Sequence, residues 1–289
     1  MVQAKHYVLL LAVLFSFFSC EISENQEENT HLDTVPQEDL NDVKQIFANI
    51  PSPVEVNEVL IQMGGSFSPK TLNPIANAQK YSSSSVMALN LGIYLADLSY
   101  CNAHKKNQEV LEYFQGIRKL CTELAIEQVI DLSIMKRFDE KKNDNTALLQ
   151  LIIQLYEQTY GILQQNNRAE LAQLIVLGAW LEGTYFNLNL LQQKKHLQLV
   201  KLLSGQQQSF LHLYSLFEKH PIAGTSVITN QNLLEINQLL GKLFARNTLS
   251  DIPIDSTATP KSFEELNPDT FNQLIDKIIT LRNHIIAAT

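Results

Sequence analysis

Two groups of polar residues lie in otherwise apolar segments, and their spacing could support chemistry. Within each group the intervals are three or four residues, which places the members on one face of a helix. They are Asn90, Tyr94, Asp97 and Cys101 in the first segment and Glu182, Tyr185 and Asn189 in the second. Carboxylates flanked by aromatic rings could line a pocket or hold a raised pKa for acid–base catalysis.

The same pattern also has a structural interpretation, which we favour. A buried carboxyl needs hydrogen-bond partners, so each acid could fix the register of helix packing instead of reacting. The expected partners of Asp97 and Glu182 are Tyr94, Tyr100 and Tyr185, or a backbone amide at the start of a helix. An enzyme using Asp97 and Glu182 remains the alternative.

Other catalytic and metal-binding signatures are absent from the sequence. It contains no His-Glu-x-x-His zinc motif, no phosphate-binding glycine loop and no nucleophile elbow. The histidines from His104 onward are scattered without metal-ligand spacing. We therefore predict no catalytic residues, no metal site and no cofactor.

Helical signals dominate the chain, and the alternation typical of strands is almost absent. The Ser52-Pro53-Val54-Glu55 segment predicts a capped helix that ends at Gly64-Gly65. Further helices are predicted at about 84–104, 108–124, 145–164, 168–192, 195–219, 230–247 and 268–286, with shorter turns over 127–138. The serines at 82–85 lead into the first of these helices, Asn167 with Glu170 has the pattern of a capped start, and Asn267-Pro268 caps the last helix. Short connections favour antiparallel neighbours. The prediction is an all-α antiparallel bundle of about eight to ten helices.

A faint repeat links two of these helices. The segment LNLGIYLADLSY at 89–100 resembles IVLGAWLEGTYF at 175–186, and Gly92 aligns with Gly178. A glycine inside a helix costs about 1 kcal/mol relative to alanine, so a close helix approach should compensate for it. The repeat could reflect paired helical hairpins, or core helices could simply look alike.

Two cysteines, Cys101 and Cys121, lie in the helical part of the chain. If the predicted helices at 84–104 and 108–124 form a hairpin, the two residues lie about 16 Å apart along it. Bridged cysteines have Cα atoms within about 7 Å, so we predict two buried free thiols.

The acidic character of the chain is concentrated near its start. Residues 21–42 contain eight acidic residues and no Lys or Arg, whereas the whole chain has a formal charge of −8. From residue 43 onward acids and bases nearly balance. The balance excludes the basic surface that nucleic-acid binding requires. The acidic segment has too few apolar residues to pack and is predicted to be a disordered tether.

The first residues have the layout of a secretory signal. Lys5 is followed by an apolar run over 7–18, and Ser19 precedes Cys20. The run is shorter than the roughly 18 apolar residues of a membrane span. The segment resembles a bacterial lipoprotein signal of the Bacteroidetes type, although Phe17 and Phe18 depart from the usual residues before the cysteine. The resemblance implies a signal peptide over 1–19 and lipidation at Cys20. The composition and the helix signals of the rest predict a tether over 20–42 and one helical domain over 43–289.

The segment NPIANAQKYSSSSVMALNLGIYLADLSY at 73–100 resembles an uncharacterised family of helical lipoproteins. This resemblance supports a tethered helical body and implies no activity. We therefore expect a lipid-anchored protein of the outer membrane, on its periplasmic face or at the cell surface. It would be a non-enzymatic binding or scaffold module for an unknown protein or small molecule. A structural accessory subunit of an envelope complex is a further alternative.

Overall fold

The structure of the chain is a computed structural model. Its contacts divide the chain into residues 1–34 and 35–289, and every described residue belongs to the second unit. The structure describes residues 59, 61–129, 132–141, 145–222, 227–244 and 262–289. All regular secondary structure in these ranges is helical, which confirms the predicted all-α class.

Eight α-helices and four 3₁₀ turns make up the described part of the chain. The α-helices are α1 (Ser84–Ala103), α2 (Asn107–Glu123), α3 (Leu132–Lys141), α4 (Asn145–Gln165), α5 (Glu170–Lys194), α6 (Leu197–Lys219), α7 (Asn230–Phe244) and α8 (Pro268–Ala287). The 3₁₀ turns are Pro69–Thr71, Ile75–Gln79, Glu127–Val129 and Phe263–Glu265. The predicted helices correspond to these elements with small shifts at their ends.

The predicted helix starts have mixed outcomes. Ser83 caps α1 and Asn267 caps α8, each accepting a hydrogen bond from a backbone amide three residues later. The prediction that Asn167 caps the start of α5 is wrong. Asn167 has a φ of 55°, and the amide of Arg168 bonds the carbonyl of Leu163, so this segment closes the end of α4.

The predicted helix that begins at Ser52 lies mostly outside the described residues. Its end is described: the amide of Met63 bonds the carbonyl of Val59, and Gly64 has a φ of 71°. A left-handed residue after the last helical turn favours glycine, because a side chain there would be strained. The predicted stop at Gly64 is therefore confirmed.

Helices α1 and α5 form the centre of the fold, and their contact depends on two glycines. A Cβ atom on Gly92 would collide with the carbonyl oxygen of Ile175, and one on Gly178 would collide with the carbonyl oxygen of Leu89. The two collisions are reciprocal, because Leu89 and Gly92 align with Ile175 and Gly178 in the predicted repeat. The close helix approach expected from these glycines is confirmed.

The α1–α5 pair runs parallel. At one end Arg168 Nη2 lies 3.2 Å from Ser84 Oγ, and further along Tyr100 stacks on Phe186 with ring centroids 4.9 Å apart. Residue numbers thus rise in the same direction along both helices. Tyr100 and Phe186 are also equivalent positions of the repeat, so the pairing follows the sequence similarity along the length of α1.

The other helices surround this pair. Short connections join α1 to α2 and α5 to α6, and each pair packs together as an antiparallel hairpin. Helix α8 packs on α5 and α1, and α7 packs on α6 and α8. Helix α5 is long and apolar enough to span a membrane, but 72% of its most apolar window is buried inside the fold. Its apolar character is that of a central core helix.

Both cysteines of the helical body are buried and free, as predicted. Cys101 lies on α1 and Cys121 on α2. Burial is the main factor that raises the pKa of each thiol to about 12. Both are therefore protonated core side chains at neutral pH.

Candidate functional site

The candidate acids lie beneath residues 66–81, here called the strap, which precede α1. Two 3₁₀ turns shape the strap, at Pro69–Thr71 and Ile75–Gln79. Pro69 and Pro74 stand at the starts of these turns, where a fixed φ is favourable and no amide donor is needed. The strap thus has a defined backbone course across α1, α2 and α8.

A buried ion pair joins α5 to α8. The guanidinium of Arg282 donates from Nε to Glu182 Oε2 and from Nη2 to Glu182 Oε1, both at 2.6 Å. Nη2 also donates to the carbonyl of Thr71 in the strap at 2.7 Å. The guanidinium carbon lies 4.1 Å from the ring centroid of Tyr185. This bidentate geometry gives both buried charges partners.

Asp97 on α1 completes the charged group. Its side chain is fully buried, and Oδ2 accepts a hydrogen bond from the amide of Asn73 at 3.1 Å. Oδ1 accepts no hydrogen bond from the described residues, and the carboxyl lies close enough to Glu182 for the two charges to repel. Burial, followed by the charge of Glu182, raises the pKa of Asp97 well above its ordinary value, and Arg282 only partly opposes this. Asp97 is therefore the protonated partner.

Glu182 is the ionised member of the pair. Burial raises its pKa, while hydrogen bonds from Arg282 and its positive charge oppose that effect. Because Arg282 already donates to both of its oxygens, Glu182 is the acid that carries the negative charge, and the proton belongs on Asp97. The three side chains together carry no net charge, which reduces the cost of placing them in the core.

Asn73 in the strap links this charged group to a network of amides and phenols. Its side-chain Nδ2 donates to the hydroxyl of Tyr81 at 2.9 Å and to Asn90 Oδ1 at 3.0 Å. Its carbonyl accepts from the hydroxyl of Tyr113 on α2 at 2.8 Å. Asn90 also donates to the carbonyl of Ile285 on α8 at 3.2 Å. Asn73 therefore connects the strap to α1 and α2, and Asn90 extends the network to α8.

Most of the predicted polar residues meet in this place. Asn90, Asp97 and Glu182 are core members of the network, and Tyr185 covers the guanidinium. Asn189 is half-buried and takes no part in its hydrogen bonds. Cys101, the last residue of the first polar group, is an apolar-type core residue.

The predicted tyrosine partners of the acids are wrong. Tyr94 donates to the carbonyl of Pro74 at 3.0 Å, and Tyr100 donates to that of Ser66 at 3.4 Å. Tyr185 contacts the guanidinium face instead of a carboxylate. Only the predicted backbone amide is found, at Asn73. These phenols therefore bond main-chain carbonyls of the strap and not the acids.

Two residues of the site were not identified from sequence. Arg282 lies in the apolar stripe of α8, four residues after Ile278 and three before Ile285. A cation at such a position needs a buried counter-ion, so this spacing was a usable signal. Asn73 lies in a connector whose course depends on tertiary contacts, and nothing in its local sequence indicates its position.

The arrangement is suited to holding structure together. The carboxyl groups of Asp97 and Glu182 have no exposed surface, and burial is the main factor raising the pKa values of Tyr94 and Tyr113 above the ordinary range. These phenols therefore remain protonated donors. Among the residues that the structure describes, no cluster of three metal-type ligands occurs.

Comparison with known proteins provides no relative. No family model, no curated protein and no solved structure matches this chain. Functional conclusions therefore depend on the contacts described above.

Proposed function

We propose that the chain is a lipid-anchored envelope protein whose helical body is a non-enzymatic binding or scaffold module. The observation that supports this most is the closure of the candidate acids. Asp97 and Glu182 are fully buried, and the cation of Arg282 neutralises the pair. A general acid or base must reach its substrate, and these carboxyls have no exposed surface with which to do so.

The proposed anchor is a lipid on Cys20, which lies outside the described residues. Its support is the sequence: a short apolar run ends at the cysteine, and an acidic segment follows. The proposed location is the outer membrane, with the body on the periplasmic face or at the cell surface. The acidic segment over 20–42 would keep the body away from an anionic bilayer.

The anchor is tested by Cys20→Ser in a bacterium that processes lipoproteins. Wild-type protein should incorporate labelled fatty acid and partition with membranes, because acyl chains supply the membrane affinity. The variant should lose the label and enter the soluble fraction. A labelled, membrane-bound Cys20→Ser protein would refute lipidation at this residue.

The non-enzymatic role is tested by Asp97→Asn, with in-cell cross-linking as the readout. The new side chain keeps an acceptor for the Asn73 amide and copies the neutral form of Asp97, so the variant should fold and cross-link to the same partners in the same yield. A variant folded to the wild-type amount that loses its partners, or loses turnover of a substrate, would favour a chemical role for Asp97.

A further inference from the structure

The helices bind the strap through the main chain of the strap. Four backbone groups between residues 71 and 74 of the strap each form a hydrogen bond with a side chain from α1, α2 or α8. The bonds are Arg282 Nη2 to the Thr71 carbonyl (2.7 Å), the Asn73 amide to Asp97 Oδ2 (3.1 Å), Tyr113 hydroxyl to the Asn73 carbonyl (2.8 Å) and Tyr94 hydroxyl to the Pro74 carbonyl (3.0 Å). Side chains thus supply a donor or acceptor for the polar groups of one short backbone.

The backbone–backbone hydrogen bonds of the strap stay within it. Thr71 bonds Ser68, Asn77 bonds Pro74 and Lys80 bonds Asn77. In the described part of the chain none joins the strap to a helix backbone. The strap is therefore held in the way that a bound peptide is held, because helix side chains form hydrogen bonds with its backbone groups. It does not continue the helical framework.

A shaped pocket binds one strap side chain. Gly116 on α2 has no Cβ, and the side chain of Ile75 occupies the space that a Cβ would take. The side-chain amide of Asn73 donates a hydrogen bond to Asn90 Oδ1. Pro74, which lies between Asn73 and Ile75, is exposed. The groove thus selects an amide and a branched apolar side chain on either side of a proline.

We propose that the groove formed by α1, α2 and α8 is a peptide-binding site that the strap closes in cis. Its ligand class is a peptide segment with an Asn-Pro-Ile core, supplied by another protein. This inference deepens the proposed binding function and rests on it. The strap is then an autoinhibitory contact, because it occupies the groove from within the same chain.

Competition decides how such a site can be detected. A ligand in the same chain has an effective concentration in the millimolar range, so a free peptide cannot readily displace an intact strap. The strap must first be weakened on its own side, with the groove left unchanged. Asn73→Ala does this, because it removes the bonds to Asn90 and Tyr81 and leaves every helix residue in place.

Tryptic cleavage measures whether the strap has loosened. Lys70 and Lys80 are exposed strap residues, and cleavage after them requires the segment to leave the groove. In full-length Asn73→Ala purified in detergent, cleavage at these two sites should be about tenfold faster than in wild type. Far-UV circular dichroism checks that the helices remain. If Asn73→Ala does not fold, Ile75→Ala weakens the strap at the Gly116 pocket instead.

A labelled synthetic peptide with the sequence of residues 66–81 is then the probe, with fluorescence anisotropy as the readout. It should bind the loosened variant at least tenfold more tightly than wild type, whose groove is filled. The matched control peptide carries Asn73→Ala and Ile75→Ala together and should bind at least tenfold more weakly. Adding Tyr113→Phe to the loosened protein removes one donor and should also weaken binding about tenfold.

Three results would overturn the proposal: no peptide binding by a folded, loosened variant, equal binding of both peptides, or equal binding by wild type. Each leaves the proposed function intact, since fatty-acid labelling and cross-linking use chains with a closed strap. Loss of labelling or of partners, with peptide binding preserved, would refute the proposed function alone.

Discussion

Replacing a carboxyl by an amide should have opposite effects on the stability of the fold at Asp97 and Glu182, although both are fully buried acids. Asp97 is protonated in the fold, so Asp97→Asn copies its neutral form. The new side chain can accept from the amide of Asn73 and places no charge beside Glu182. Glu182 is the ionised partner of Arg282, so Glu182→Gln removes the counter-charge that bonds the guanidinium directly.

The size of the Asp97 effect depends on pH. Because its folded pKa is raised, the folded chain retains a proton that the unfolded chain releases above the ordinary pKa of aspartate. The contribution of Asp97 to stability is greatest below that ordinary value. As pH rises toward the folded pKa, the contribution falls by about 1.4 kcal/mol per pH unit. Asparagine does not titrate, so the free energy of unfolding of Asp97→Asn should rise relative to that of wild type at this rate as pH increases.

Glu182→Gln should instead destabilise the fold by about 3–5 kcal/mol, the usual cost of leaving a buried charge without its partner. Arg282 would then retain Thr71 and Tyr185 as neighbours but no carboxylate in bidentate contact. The two variants are chemically matched, and each serves as the control for the other.

Urea denaturation of wild type, Asp97→Asn and Glu182→Gln at several pH values from 4 to 8 measures these differences. Comparison between proteins cancels the titration of the other carboxyls. The Asp97→Asn curve should diverge upward from wild type as pH rises. Parallel curves, or a variant that loses stability toward pH 8, would refute the assignment of the proton to Asp97.

Three further predictions concern packing, capping and the thiols. Gly92→Ala should cost about 1–3 kcal/mol or more because it forces a backbone apart, whereas Gly161→Ala meets no atom within 4 Å and should stabilise by up to about 1 kcal/mol; thermal melts of both decide. Asn267→Ala should cost about 1 kcal/mol in urea denaturation through loss of the α8 cap, and an unchanged midpoint would contradict that. Cys101 and Cys121 should react with a thiol reagent only after unfolding, since burial raises the pKa of each to about 12, and fast labelling of the native chain would contradict this.

The helices could be predicted from sequence because their signals are local. Periodic apolar residues, short connections and the Asn267 cap each act within a few residues. Asn167 shows where local signals are ambiguous: asparagine favours both a helix start and a left-handed helix end, and the preceding helix determined the outcome.

The candidate site could be predicted only in part. Spacing placed Asp97 and Glu182 on the buried faces of two helices, and the glycines indicated a close helix approach without naming the partner helix. The partners are distant in sequence: Arg282 follows Glu182 by 100 residues, and Asn73 precedes Asp97 by 24. Such pairings are set by tertiary packing, which no local pattern encodes. The phenols were assigned to the wrong acceptors for the same reason.

The reciprocal contact of Gly92 and Gly178 is self-complementary, as in the isologous interfaces of symmetric homodimers. A half-length chain carrying this surface would associate with itself at a strength set by its concentration. Two such halves in one polypeptide associate without that dependence, and each can change independently. The acids illustrate the freedom gained: Asp97 and Glu182 stand one position out of register, and one Arg282 serves the unlike pair. A strict dimer would duplicate every charge across its axis, whereas the fused chain holds a single, asymmetric cluster.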